Sequence, residues 1–321
     1  SPKVALTRAA ANVARFQDDL ASLLPEGAVL GLAVSGGPDS LALLLLAHAT
    51  GRPIAAATVD HGLRPEARAE AEFVAQICAD RGIAHDILTV DGTPQGNVSA
   101  WARTARYAAL SAWQARRGLA AIATAHHADD QLETLLMRLN RGAGVRGLAG
   151  IRPRQSAILR PLLGWRKAEL AALVAAAGIK AVDDPSNHDD RFDRARMRQA
   201  LADVDWLDPY AAAQSARALQ SADEALDWAT QMALTERLSR TQKNVLQLRA
   251  DGLPFEIQRR LLSHCLADIQ PHATPRDDEM IRLLQRLSNG ETATLAGVKC
   301  QGGPVWTFSA APPPRQTARN S

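Results

Sequence analysis

Two spacings of apolar residues alternate along the first two-thirds of the chain. Short apolar runs at Val29–Val34, Ile54–Val59, His85–Val90 and Leu119–Thr124 have the length of buried strands. Between and before them, apolar residues recur at helical spacing. Val13, Phe16, Leu20, Leu23 and Leu24 mark a leading amphipathic helix over Val4–Leu24. Phe73, Val74, Ile77 and Cys78 share one face of Glu66–Arg81, and Val98, Trp101, Ala105, Ala108 and Leu110 line a helix that Asn97 caps and that runs to Arg117. Leu41–Leu46 and Ala128–Arg141 supply two more helices. Strands alternating with helices predict an α/β fold: a Rossmann-like, doubly wound parallel sheet with helices on both faces. Ligands of such sheets sit beyond the carboxyl ends of the strands.

The rhythm changes later. Gly142–Pro153 is rich in glycine and arginine and reads as a flexible loop able to close over a site. Lys167–Ala177 is a helix closed by Gly178. After Asp205, Trp206–Arg240, Leu253–Ile269 and Pro275–Ser288 read as three helical segments with no strand between them. Gly290–Ser309 fits a closing β-hairpin, and Ala310–Ser321, proline-rich and polar, a disordered tail. The expected organisation is an α/β domain over 1–205, a small helical domain over 206–290 and a short end over 291–321.

Length and composition agree with this. The chain has 321 residues, enough for two domains, and 46% apolar content, enough to fill their cores. Its formal charge is only +3, yet Arg138, Arg141, Arg146, Arg152, Arg154, Arg160, Arg166 and Lys167 face a lone acid, Glu169, between Arg138 and Glu169. Such a stripe is either an electrostatic footprint for a polyanion or a solvated surface. Cys78, Cys265 and Cys300 are scattered without a C-x-x-C pair, which argues against a disulfide framework or zinc site and fits a reducing cytoplasm. No apolar run approaches the roughly 18 residues of a membrane span. The start, Ser1-Pro2-Lys3, has neither a methionine nor a signal-peptide apolar region and reads as a processed end.

Three stretches carry chemistry. Ser35-Gly36-Gly37-Pro38-Asp39-Ser40 joins the first strand to an apolar helix. Backbone N–H groups, two hydroxyls and a helix dipole around one point hold phosphate. Asp39 would repel phosphate unless a cation lay between, which points to Mg²⁺, a hard ion suited to carboxylate and phosphate oxygens. The loop is not a Walker A motif, since no lysine follows; the bland alternative is a glycine turn with a capped helix. The second stretch, Ala125-His126-His127-Ala128-Asp129-Asp130-Gln131-Leu132-Glu133-Thr134, ends the fourth strand and opens a helix. Asp129 and Asp130 are either capping acids or, with Glu133 one helical turn from Asp130, groups for metal binding or proton transfer. The third, Asp183-Asp184-Pro185-Ser186-Asn187 through Arg194 and Arg198, is a capped turn leading into a basic helix whose arginine forks suit phosphate.

The first stretch resembles the SGGxDS loop of the N-type ATP pyrophosphatases. With the other two in order, plus Asp60-His61-Gly62-Leu63-Arg64-Pro65 and Arg103-Thr104-Ala105-Arg106-Tyr107, residues 29–201 closely resemble the tRNA(Ile)-lysidine synthetase family. One departure is Ala195, where many members carry Asn. The resemblance implies a catalytic pyrophosphatase domain followed by a helical tRNA-binding domain, and a cytoplasmic ligase using ATP and Mg²⁺. ATP adenylates the wobble cytidine of a CAU-anticodon tRNA(Ile), and the ε-amine of free L-lysine displaces AMP to give lysidine. A homodimer is left open. Mapped onto this chain, Ser35, Gly36, Gly37, Pro38, Asp39 and Ser40 would hold pyrophosphate, with Asp60 and Arg103 also toward ATP and Asp39 on the metal. Asp130, helped by Asp129 or Glu133, would orient lysine and take its proton. Arg106, Arg141, Arg194 and Arg198 are candidates for phosphate or RNA backbone, and His126 and His127 either shape the site or transfer protons. A tRNA thiolase on the same scaffold would be expected to carry C-x-x-C pairs. GMP and NAD synthetases would be expected to lack the Asp184–Asn187 segment, and a non-catalytic RNA-binding relic would have no reason to keep Asp39 and Asp130.

Overall fold

The computed structural model describes residues 2–62, 66–90, 92, 98–182, 193–241 and 244–312. The capping Asn97, Arg64, the Asp183–Phe192 segment and most of the C-terminal tail lie outside the described residues. Two compact units divide between Gln220 and Ser221.

The first unit is built on a six-stranded sheet of order β3-β2-β1-β4-β6-β5. Its strands are β1 (Leu30–Ala33), β2 (Ile54–Asp60), β3 (Ala84–Thr89), β4 (Ala121–Ala123), β5 (Arg154–Gln155) and β6 (Ile158–Leu159), all parallel except the β5–β6 pair. The expected four strands are present; β5 and β6 were not anticipated, being two residues each, too short to show a period. Helices α1 (Pro2–Ala21), α2 (Pro38–Ala49), α3 (Glu66–Ala79), α4 (Val98–Arg117), α5 (Ala128–Leu139), α6 (Val145–Leu148), α7 (Lys167–Ala176) and α8 (Asp193–Leu201) accompany it. Alternate residues of β1 enter two cores. Leu30 and Leu32 join Phe16, Leu41, Leu44 and Trp165 on one face, while Ala33 meets Trp113, Leu110 and Ile122 on the other. On that second face the strands are alanine-rich so that Trp113 can press against them. A Cβ on Gly31 would lie 2.8 Å from both Trp113 and Leu119 carbons. α2 is buried nearly all round, which explains its continuous leucines. Because β2 and β3 extend the sheet one way from β1 and β4 the other, the loops after β1 and β4 open at a topological switch point, where α/β sheets bind ligands.

The second unit contains strands that the sequence reading did not expect. α9 (Pro209–Arg237) begins in the first unit and contributes its later turns to the second, together with α10 (Phe255–Ile269) and α11 (Asp277–Ser288). β7 (Leu238–Arg240), β8 (Leu246–Leu248), β9 (Thr292–Leu295), β10 (Val298–Gln301) and β11 (Trp306–Ala310) form an antiparallel sheet of order β7-β8-β11-β10-β9. The expected hairpin is therefore part of a mixed helix-and-sheet core that includes Leu246, Leu248, Leu261, Leu284, Trp306 and Phe308. β7 and β8 escaped notice because three-residue strands give no alternation long enough to separate from helix ends. Cys78 lies in the first core, and Cys265 and Cys300 lie together in the second. No helix among the described residues is long and apolar enough to cross a membrane.

Candidate active site

The loop after β1 is held by its own serines. Ser40 Oγ accepts from Ser35 N–H at 3.1 Å, lies 3.2 Å from Ser35 Oγ and donates to the Gly37 carbonyl at 3.0 Å. Pro38 opens α2, and Gly37 at its N-cap provides no side-chain acceptor, so the first amides of the helix are left to an incoming anion. Gly36 is left-handed at φ +92°, a conformation that side chains disfavour, and a Cβ there would only touch Val74 and Val182 at 3.4 and 3.5 Å. Its carbonyl accepts from Val182 N–H. The turn is thus held from behind by Val182.

Asp39, in the first turn of α2, points toward the loop after β4. Its Oδ2 lies 3.4 Å from His127 Nε2. Its buried Oδ1 has no hydrogen-bond partner among the described residues. His127 is the N-cap of α5: its Nδ1 accepts from Asp130 N–H at 3.4 Å, and Asp130 Oδ2 accepts from His127 N–H at 3.0 Å. The same Asp130 oxygen lies 3.5 Å from His127 Nε2. Burial disfavours a charged imidazole, but Asp39, Asp130 and Asp129 together outweigh it and raise the His127 pKa. Burial likewise pushes Asp130 upward, yet His127 and His126 prevail and hold its carboxyl below the usual range. His126, half-buried beside Thr124 Oγ1 at 2.9 Å, is kept neutral chiefly by desolvation, with a pKa pushed down to about 3.

Glu133, one turn further along α5, is buried against α8. Arg198 Nε donates to its Oε1 at 2.7 Å, and Arg194 Nε lies 3.3 Å from its Oε2. Arg194 also donates to Thr134 Oγ1, and Arg198 reaches Asp130 Oδ1 at 3.5 Å. Despite two arginines, burial raises the Glu133 pKa. The carboxylates expected to act together have therefore been pushed in opposite directions: Asp130 is held ionised, and Glu133 is biased toward taking a proton. Ala195 is buried between the two arginines' positions on α8 and offers only a methyl group there.

Asp129 borders this cluster, its Oδ2 3.7 Å from His127 Nδ1, and is tied down on its other side. Arg166 binds both of its oxygens at 3.3–3.4 Å, and Lys167 N–H donates to Oδ2 at 2.8 Å, so Asp129 ties α5 to the start of α7. Asp60, buried at the end of β2, accepts from Gly62 N–H at 2.9 Å. The neighbouring His61 Nδ1 is buried with no hydrogen-bond partner among the described residues. Arg103 is exposed and stacks 5.1 Å over Tyr107, and Arg106 is half-buried with desolvation lowering its pKa.

The arginine stripe is largely absorbed by the chain itself. Arg138 donates to the Gly147 and Gly150 carbonyls, Arg154 to Leu23 O and Arg160 to Arg152 O, while Arg166 pairs with Asp129. Arg141 and Arg146 remain on the surface. The stretch expected to be a flexible loop, Gly142–Pro153, contains α6, and its end is clasped by side chains. Gln131 makes two hydrogen bonds to Ile151 at 2.7 and 2.8 Å, and Gln220 Nε2 donates to Ala149 O and Ile151 O. Sequence reasoning gave Gln131 no role; the available signal was a third consecutive polar residue after Asp129 and Asp130.

Comparisons with known proteins agree with this geometry. A family model described as a PP-loop domain matches residues 6–204. A tRNA(Ile)-lysidine synthase of Novosphingobium aromaticivorans is 47% identical over 315 residues, spanning 95% of each chain. One from Zymomonas mobilis is 43% identical over 298 residues, spanning 90% of each. Among solved structures, the U34-tRNA thiolase NcsA of Methanococcus maripaludis is 18% identical with a TM-score of 0.55, covering 65% of this chain and 78% of the thiolase, a likeness of fold. A PP-loop opposite an acidic helix start, and relatives matched along nearly the whole chain, make this protein a member of the tRNA(Ile)-lysidine synthase family.

Proposed function

We propose that the crevice at the ends of β1 and β4 performs both halves of lysidine formation. ATP adenylates the 2-carbonyl oxygen of the wobble cytidine in a CAU-anticodon tRNA(Ile), and the ε-amine of free lysine then attacks that carbon and displaces AMP. The observation that carries this reading is the approach of Asp39 in the phosphate loop to His127 and Asp130 at the start of α5, with 3.4 and 3.5 Å separations at one imidazole nitrogen. A phosphate-binding loop and an amine-binding carboxylate that share a neighbour can serve one reacting carbon in sequence.

Ser35, Gly36, Gly37, Pro38 and Ser40 would cradle the departing pyrophosphate with backbone amides and hydroxyls. The orphaned, buried Asp39 Oδ1 fits a hard cation, because an ionised oxygen in that position otherwise bears an uncompensated desolvation cost. Mg²⁺ bound there would spread the charge of the leaving group. Asp130, held ionised, would anchor the lysine ammonium. Glu133, with its raised pKa, would accept the proton, since only the free amine is nucleophilic. Arg194 and Arg198 set the orientation of these acids, and so reach the reaction through them. The cytidine must leave its stack to enter.

The deciding assay is incorporation of radiolabelled lysine into a CAU-anticodon tRNA(Ile) transcript with ATP and Mg²⁺. Labelling that needs ATP and vanishes when the wobble cytidine is changed is expected. RNA-dependent AMP release without lysine labelling would assign the crevice a different nucleophile. Asp39→Asn is expected to abolish AMP formation at ordinary Mg²⁺ concentrations, and undiminished AMP formation would reject the metal role.

A further inference from the structure

His127 occupies a singular position. It is 3% exposed, and its two ring nitrogens face different tasks. Nδ1 accepts the Asp130 amide at 3.4 Å, completing the cap of α5, with Asp129 Oδ2 3.7 Å away. Nε2 lies between two carboxylate oxygens, Asp39 Oδ2 at 3.4 Å and Asp130 Oδ2 at 3.5 Å. The tautomer that serves both tasks carries its proton on Nε2. Without that N–H the two carboxylates would face the same ring nitrogen with no hydrogen between them, and like charges so placed repel. With it, one oxygen of Asp39 is engaged and the other, Oδ1, is left buried and unpartnered among the described residues.

We propose that His127 is a positioning residue for the cation site: its Nε2–H holds Asp39 Oδ2 so that Oδ1 is presented to Mg²⁺, while its Nδ1 independently caps α5. The inference rests on the reading of Asp39 as a metal ligand. It adds that the phosphate loop and the amine-side helix are set against each other by one ring. Orientation of a metal-ligating carboxylate by a hydrogen-bonding neighbour changes metal affinity by about tenfold to a hundredfold in other sites.

The two nitrogens can be separated by substitution. An asparagine amide lies where Nδ1 lies and is a good helix cap, but it cannot reach Asp39; a glutamine amide nitrogen lies near Nε2 but caps poorly. In His127→Asn we expect thermal stability close to wild type and binding of Mn²⁺ with α,β-methylene-ATP, followed by electron paramagnetic resonance, weakened about tenfold. In His127→Gln we expect a lower melting temperature and Mn²⁺ binding close to wild type. A purely structural histidine would make cation affinity follow stability through both variants, and that result would overturn the proposal. Equal Mn²⁺ affinity in wild type and His127→Asn would also overturn it, leaving the metal role of Asp39 intact. Absence of nucleotide-dependent Mn²⁺ binding in wild type would remove the metal reading itself.

Discussion

At the scale of single residues, the site works by giving neighbouring acids different environments. Asp130 has two imidazoles and a backbone amide; Glu133 has two guanidiniums but a desolvation that outweighs them. Glu133→Gln is therefore expected to leave single-turnover, RNA-dependent pyrophosphate release within about threefold of wild type and to slow lysine transfer, with its release of AMP, by about a hundredfold, the usual range for loss of a general base. Separate measurement of the two products tests this, and parallel loss of both would place Glu133 on ATP or the base instead. His126 supplies a pH prediction. Its folded pKa, about 3, lies below the unfolded value near 6.5, so the unfolded chain binds a proton that the native chain refuses. This group costs nothing above the unfolded pKa and destabilises the native state progressively as pH falls from about 6.5 toward 3. Urea unfolding at pH 7 and pH 5 is expected to show a smaller loss of stability in His126→Gln than in wild type; equal losses would mean that His126 is not held neutral.

At the scale of elements, the sequence showed what its period could carry. Strands β1 to β4, the long helices and the strand-end positions of the loops after β1 and β4 were legible because apolar spacing is a local property. The partners of those loops were not, because they are set by packing. Nothing near Asp129 in the chain signals Arg166 and Lys167, which meet it only once α7 docks beside α5. The clasp on Ile151 needs Gln131 and Gln220, far apart in sequence, so the glycine content of Gly142–Pro153 gave no hint of anchorage. Gly31 makes the same point in a strand. Gly31→Ala is expected to cost about 1–3 kcal/mol, because the new methyl would drive Trp113 and Leu119 off their positions. A shift of the urea midpoint, read by far-UV circular dichroism, measures it; an unchanged midpoint would show that α4 can move away without penalty.

At the scale of the whole molecule, each compact unit closes an apolar core on a sheet, and the second also places a buried ion network within its helices. Arg260, about 6% exposed, donates to Asp223 and Asp227 on α9 at 2.6 Å each and to Glu256 on its own helix at 2.8 Å. Asp223→Ala is expected to destabilise the second unit by about 3 kcal/mol, since it strands part of a buried guanidinium. The double replacement of Asp223 and Arg260 by apolar residues should recover most of that loss. Calorimetry with and without α,β-methylene-ATP assigns the transition: a drop confined to the component that nucleotide does not raise supports the assignment, and a drop in the nucleotide-sensitive component contradicts it.

The three sequestered cysteines make the chain its own chemical clock. Desolvation pushes the thiols of Cys78, Cys265 and Cys300 up to about 11, 12 and 12, so at neutral pH the native protein offers alkylating reagents almost no thiolate. Each becomes reactive only when its own core opens. Pulsed alkylation read by mass spectrometry can thus time the opening of the first unit at Cys78 and of the second at Cys265 and Cys300, in one unlabelled sample.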